Sequence, residues 1–362
     1  MIKSTKGELL YITALFMIAF AKGFGLDSSS LIYNAIFYVS MVFIFLKVIH
    51  ERWMVDEFYR ICTIIILLLL NFLFGKDISY LFSFIYLVGT KNIDINKILK
   101  TLLWARGLSF ISLLIVNFLG LINSRAILFY RNGYFIMRSD LGFGHPNLAQ
   151  SSFSMIVLLF CYLFRNRINF LTCILIAVFN HILYQQTFSR TSYYLTILIL
   201  IFFYLERILP ELIKKITDYA KYVQFALLVL TVILAKWIQL PIIQKLDILF
   251  TGRIYYSAIS LNYGTSLFGK PLSAIPVLFD NSYSLILYNS GLLMTVLLMY
   301  SYYKTASNHT LRNNKRTLIF FIMLSIILFS ESYYANVLFN VTLFFSFKEL
   351  VWNGVNEEGK SK

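Results

Sequence analysis

The sequence predicts an all-α polytopic membrane helix bundle, a single integral domain over residues 1–362 with about twelve transmembrane helices. Both termini are expected in the cytoplasm, and two long loops, residues 122–147 and 241–281, on the opposite side. Three observations carry this. Mean hydropathy is +0.73, with 59% hydrophobic and only 14% charged residues, far from the averages of soluble domains. Apolar runs long enough to cross a hydrocarbon core of roughly 30 Å recur from end to end. Lys and Arg also divide unevenly between alternate loops, as the positive-inside rule requires.

The first span, 9–26, follows Met1-Ile2-Lys3-Ser4-Thr5-Lys6. No small-residue cleavage site follows it, and a second apolar run opens at Leu31, so it reads as a first helix and not a removed signal peptide. Spans 31–49 and 58–74 come next, then 78–90, the weakest, because thirteen residues cross only if neighbours extend them. Its loss would reverse everything downstream. The remaining spans are 98–121, 148–164, 168–186, 191–205, 222–240, 282–303, 317–332 and 335–347. Between them, inner loop 206–221 carries Lys214, Lys215 and Lys221 and reads as an amphipathic anchor. In the second outer loop, Thr251-Gly252-Arg253 precedes residues 254–261, a short interfacial helix with Arg253, Ser257 and Ser260 along one face. Both outer loops hold aromatic residues, among them Phe129, Tyr130, Tyr134, Phe135, Tyr255 and Tyr256, which argues for function over disorder.

Charge placement supports this map. It puts 21 basic residues inside and ten outside, with Arg106 within a span. The net charge of +15 divides as about +10 inside, +4 outside and +1 in the membrane. Most of the basic balance is therefore topological, and it gives no warrant for nucleic-acid binding. Cys62, Cys161 and Cys173 lie in apolar segments without metal-ligand spacing and read as small hydrophobes.

Polar clusters stand where helices start inward from the outer side. Asn147 opens the sixth span, Ser189-Arg190-Thr191 the eighth and Asp280-Asn281-Ser282 the tenth. Helix N-termini attract anions, and arginines add planar bidentate donors suited to phosphate. Arg125, Arg131, Arg138, Arg190 and Arg253 supply such donors. Each feature has a plainer alternative: Asn147, Gln150 and Asp280 as helix caps, Gly142 and Gly144 as turn residues, Arg190 as a snorkelling side chain, the loop arginines as solvated charges. His145 is the single histidine in an outer loop, since His50 and His309 fall in inner loops and His181 in a span. Near neutral pH its imidazole can accept a proton. Arg106, in the fifth span, calls for a carboxylate or phosphate partner. Glu331, at the outer end of the eleventh span, is a candidate partner or second base. No P-loop, GxSxG, HExxH or outer-loop Asp-x-Asp occurs, so phosphate handling would rest on arginines and helix ends, with neither metal nor cofactor.

In order, the arginine-bearing loop, Gly142-Phe143-Gly144-His145-Pro146-Asn147, Ser189-Arg190-Thr191, Thr251-Gly252-Arg253, Leu267-Phe268-Gly269 and Asp280-Asn281-Ser282-Tyr283 resemble the Wzy-type polysaccharide polymerases, relatives of the O-antigen ligases. The resemblance covers roughly residues 98–300. It implies an enzyme of O-antigen, capsule or exopolysaccharide synthesis, joining oligosaccharide units carried on undecaprenyl diphosphate at the outer face of a bacterial plasma membrane. Arg190 and Arg253 would then stabilise the departing diphosphate and His145 would take the acceptor's proton. Arg125, Arg131, Arg138, Asn147, Asp280, Asn281, Tyr283, Glu331 and Arg106 would bind substrate. The lipid bilayer, a flippase and a chain-length regulator are the further partners implied. The long loop lacks the histidine that ligases use there, which favours a polymerase. The alternatives are a ligase-type transferase and a polysaccharide flippase or other transporter, which Arg106 favours.

Overall fold

The computed structural model describes residues 6–122, 124–131, 133–276, 279–308 and 314–353. His309 and Arg312, expected in an inner loop, lie outside the described residues, as do Lys3, Lys360 and Lys362.

Helices take up 74% of the described residues. In order it forms α1 (Lys6–Gly23), α2 (Leu31–Ile49), α3 (Val55–Gly75), α4 (Ser79–Val88) and α5 (Ile95–Phe118), then strands β1 (Ala126–Arg131) and β2 (Tyr134–Ser139). Next come α6 (Pro146–Leu163), α7 (Phe170–Thr187), α8 (Arg190–Ile208), α9 (Pro210–Thr217), α10 (Val223–Lys236), α11 (Pro241–Leu249) and α12 (Arg253–Asn262). The last are α13 (Ser282–Leu285), running through a π-helical turn (Ile286–Ser290) into α14 (Gly291–Ser307), then α15 (Lys315–Ser330) and α16 (Thr342–Phe347), which ends in a second π turn. Side chains that prefer caps open several helices: Ser30 for α2, Asp94 for α5, Asn169 for α7 and Asn314 for α15 each accept a backbone N–H of the first turn.

Eight helical segments among the described residues are long and apolar enough to cross a membrane: α2, α3, α5, α6, α7, α8, the α9–α10 run and the α13–α14 run. The protein thus has the helices of a multi-pass membrane protein. Helices α2 and α7 bury only 17% of their most apolar windows, so most of their Leu, Ile and Phe side chains lie on the surface, as hydrocarbon-solvated helices require. The expected span 31–49 is α2 residue for residue. Helix α4, by contrast, has only 10 residues, a rise of about 15 Å, half the hydrocarbon core.

Two compact units result, each assembled from separated stretches. Unit 1 comprises residues 1–50 and 92–210, and unit 2 residues 51–91 and 211–362. In unit 1, α1 packs on α2 and α5, α5 on α6, and α6 on α7 and α8. Its core includes Tyr11 and Leu15 of α1, Ile98 and Leu102 of α5, and Met155 and Leu158 of α6, all fully buried. The centre of unit 2 is α15, with 13 of its 16 residues buried; Leu328 joins Tyr283, Ile286, Met299 and Tyr334 in one cluster.

Three expectations need correction. The loop after α5 is an antiparallel hairpin that pairs Ala126 with Ser139 and Arg131 with Tyr134. The Asn132-Gly133 dipeptide between two apolar runs is a sequence signal for a hairpin. Secondly, the span expected over 335–347 is helical only from Thr342. Upstream, the Asn336 side chain accepts the Leu338 N–H at 3.0 Å and Asn340 donates to the Tyr334 carbonyl at 3.0 Å, local bonds that displace helical ones. This buried irregular backbone is satisfied by α4, whose Ser83 hydroxyl donates to the Ala335 carbonyl and accepts the Val337 N–H at 3.1 Å, as buried backbone must be.

Thirdly, the span expected over 282–303 is interrupted. Gly291 has φ +80°, the Leu292 N–H donates to the Ser266 carbonyl at 2.9 Å, and that of Leu293 to Leu267 at 3.1 Å. Asn71 donates to the carbonyls of Phe268, Asn289 and Ser290 at 3.1 to 3.3 Å, so a loop and a helix break are stitched to α3.

Candidate functional site

In unit 1 the expected residues gather where the hairpin meets α6 and the turn between α7 and α8. Asp140, 2% exposed, closes the hairpin neck by accepting the backbone N–H groups of Arg125 at 2.9 Å and Gly142 at 3.0 Å. Leu141, Gly142 and Gly144 all have positive φ (51°, 83° and 78°); the glycines are turn residues, freed for that conformation by having no Cβ. The turn delivers His145 as N-cap of α6 with Pro146 at the first helical position. His145 is exposed, and its Nδ1 accepts the Asn147 N–H at 3.2 Å.

Arg138, 7% exposed, donates from Nε to the Thr187 carbonyl at 2.7 Å and from a terminal nitrogen to Asn147 Oδ1 at 2.6 Å. Its guanidinium also stands 5.5 Å from the Phe129 ring centre, within cation–π reach. Arg138, His145, Asn147 and the end of α7 thus form one connected group. Beneath it, a polar network joins the helices: Gln150 donates to Asn180 Oδ1 at 2.5 Å and accepts from the Thr187 hydroxyl at 3.0 Å, while Ser154 bonds the Ser192 carbonyl and the Thr196 hydroxyl. Arg190, two residues beyond Phe188, is half-buried at the first position of α8 and makes no hydrogen bond or ion pair among the described residues. Arg125 is exposed. Arg131 closes β1, but its side chain lies outside the described residues. Arg106 is 5% exposed in α5, beside Gly23 of α1, where a Cβ would meet its backbone at 3.7 Å.

In unit 2, α11 and α12 occupy the second long loop. Arg253, 6% exposed, begins α12, where Gly252 at φ +85° turns the chain. Arg253 Nε donates to the Ser330 carbonyl at 2.8 Å, and its terminal nitrogens reach the Thr251 hydroxyl at 2.7 Å, the Phe250 carbonyl at 3.2 Å and Glu331 Oε1 at 3.7 Å. The ion pair of Glu331 is therefore with Arg253. The stripe of Arg253, Ser257 and Ser260 on α12 faces the interior, at 6%, 3% and 0% exposure, and not a membrane interface. Ser257 bonds the hydroxyl of Ser284 at 3.2 Å.

Asn281 caps α13 by accepting the N–H groups of Tyr283 at 2.8 Å and Ser284 at 3.1 Å. Ser282 donates to the Glu331 carbonyl at 2.5 Å, which ties this helix start to the end of α15. Tyr283 is fully buried, its hydroxyl on the Ser325 carbonyl at 3.0 Å, and acts as core. Asp280 is half-buried and makes no hydrogen bond or ion pair among the described residues. Arg253, Asn281, Thr231 and Phe250 line one small pocket of about 10 Å³, room for about one water.

Three buried polar residues are not apparent from the sequence: Asp140, Asn71 and Asn289. Asp140 is the carboxylate that organises the hairpin neck, and a lone acid among loop arginines is its only sequence signal. Asn71 and Asn289 are 2% and 1% exposed in apolar helices; buried amides there signal backbone that needs a partner.

Chemically, unit 1 offers an arginine with unspent donors at a helix start, and unit 2 a buried, pre-set guanidinium beside a second helix start. Both suit an anion. No known family matches this chain, and no curated protein or solved structure resembles it.

Proposed function

We propose that the protein is a membrane glycosyltransferase that polymerises lipid-linked oligosaccharides, transferring a growing chain from one undecaprenyl diphosphate to the next repeat unit. In this reading it works at the outer face of a bacterial plasma membrane. The observation that carries it is Arg253: a buried guanidinium, fixed by bonds to Ser330, Phe250 and Thr251, lining a pocket with the cap of α13. Its carboxylate partner stands at 3.7 Å, too far for a hydrogen bond. A substrate diphosphate would replace Glu331 as counter-ion, and pre-set donors stabilise the charge that develops as the anomeric carbon–oxygen bond opens. The pocket must widen to admit that group. Arg190 supplies the second cation.

His145 would take the acceptor hydroxyl's proton. While Nδ1 accepts the Asn147 N–H, neutral imidazole carries its hydrogen on Nε2 and can only donate there. Base action therefore requires the ring to leave the cap.

The reading includes twelve crossings with both termini cytoplasmic. Helices α1 and α15 add two to the eight long segments, and α4 and α16 complete theirs through the adjoining non-helical residues of 78–90 and 335–341. Cells carrying Arg253→Ala would accumulate single lipid-linked repeat units; finished chains left on the carrier would point instead to a ligase.

A second reading, a transporter for a lipid-linked anion, draws on the interrupted helix at Ser290–Gly291 and the carbonyls gathered at Asn71. Broken helices bonded to loops build substrate sites in transporters. Export of labelled lipid-linked units by proteoliposomes, without chain growth, would favour it.

A further inference from the structure

Unit 2 contains a cavity of about 440 Å³ that includes none of the arginine-site residues. That volume lies in the range of about 300–1,000 Å³ usual for small-ligand sites. Its walls come from α3, α4, α14 and α16 and are almost wholly apolar, with Leu67, Leu68, Phe84, Leu297, Leu298 and Leu343 among them. At one end Tyr59 and Tyr300 line it while 66% and 57% exposed, so it opens to the surface there.

The same end carries the lining residue Arg60. One of its terminal nitrogens donates to the Leu350 carbonyl at 2.8 Å, and its other donors carry no bond among the described residues.

Apolar cavities do not hold water, since water there finds no hydrogen-bond partners, and an empty one forfeits packing. In a protein whose helices are apolar enough to span a bilayer, hydrocarbon chains are the available filling. An arginine with tyrosines at the mouth marks the headgroup level and selects negative charge.

We propose that this cavity holds one acyl chain of an anionic phospholipid from the surrounding bilayer, with the lipid phosphate on Arg60. The tyrosines frame the entrance, and Arg60 bridges the lipid and the π turn that holds Leu350. The site is independent of the polymerase reading, because it shares no residue with Arg253 or Arg190.

The test uses the full-length protein in bilayers, with phosphatidylglycerol or phosphatidylcholine spin-labelled near the acyl terminus. Electron paramagnetic resonance should show an immobilised component that prefers phosphatidylglycerol about fivefold, the expectation for one basic residue at the headgroup. Arg60→Gln should abolish the preference but keep an immobilised chain. Leu297→Trp, which fills the cavity, should lower the component by about one lipid per protein for both headgroups. Should Leu297→Trp fail to purify as a monodisperse species, Thr63→Trp at the exposed mouth replaces it. Equal binding of the two lipids by the wild type, or an immobilised component indifferent to the tryptophan, overturns the proposal.

Discussion

Glu331 and Arg253 stand 3.7 Å apart with side chains 11% and 6% exposed, and such a pair has two roles to separate. Removing one partner from a buried ion pair costs about 3–5 kcal/mol, because the other is left charged and unpaired. Arg253→Met should therefore lower the thermal unfolding temperature of the purified protein, and Arg253→Met combined with Glu331→Leu should recover most of that loss. Polymer should stay absent in the double variant; its return along with stability would reduce Arg253 to a structural residue. His145 separates in the same way. His145→Asn keeps a good N-cap while removing the titrating ring, so it should preserve stability and lose about 10²- to 10⁴-fold in rate if the imidazole is the base. An unchanged rate would leave His145 as a cap alone. Asp140, which holds two backbone N–H groups, belongs to the scaffold of this loop. Asp140→Ala should cost about 1–3 kcal/mol locally, read as faster proteolytic nicking between α5 and α6.

Among the elements, the break between α13 and α14 sets the tightest steric condition. A Cβ on Gly269, which has φ +95°, would lie 1.9 Å from the Asn289 carbonyl oxygen, and one on Gly75 2.4 Å from the same atom. Gly269→Ala should prevent this loop from seating against the π turn and lower expression of folded protein, since neither clash can be relieved by a side-chain rotation. Gly107→Ala, with nothing within 4 Å, should be neutral or stabilise α5 by up to about 1 kcal/mol. Both are read by detergent-solubilised yield and thermal melts. These elements also mark the limit of what hydropathy conveys. Helices such as α2 and α7 were legible because their apolar length alone decides them in lipid. The irregular stretch at residues 331–341 was not, because its backbone bonds depend on Ser83 of a distant helix. For the hairpin, Asn132-Gly133 is a local signal, but the polar residues around it weaken the alternation that marks strands. Arg253 and Asn281 were legible as helix starts, whereas Asp140 and Asn71 matter only through partners that the linear order hides.

On the scale of the molecule, the chain passes between its two units after His50, Lys91 and Pro210. The residues in and around the Lys91 passage form a clamp: Lys91 pairs with Glu57, both buried, and stands 4.7 Å from the Trp53 ring centre. The proposed twelve-crossing topology would put the hairpin outside and Lys214 and Lys215 inside; cysteines introduced at exposed Leu128 and Lys215 should then react with membrane-impermeant reagent from opposite sides. Labelling of both from one side would remove the outward-facing site. The central claim, that Arg253 stabilises a departing lipid diphosphate, is met most directly by lipid-linked glycan analysis of cells expressing Arg253→Ala at wild-type protein levels. The account predicts accumulation of single repeat units with loss of long chains, a fall in rate of about 10²- to 10³-fold. Polymer of unchanged length and amount would contradict it.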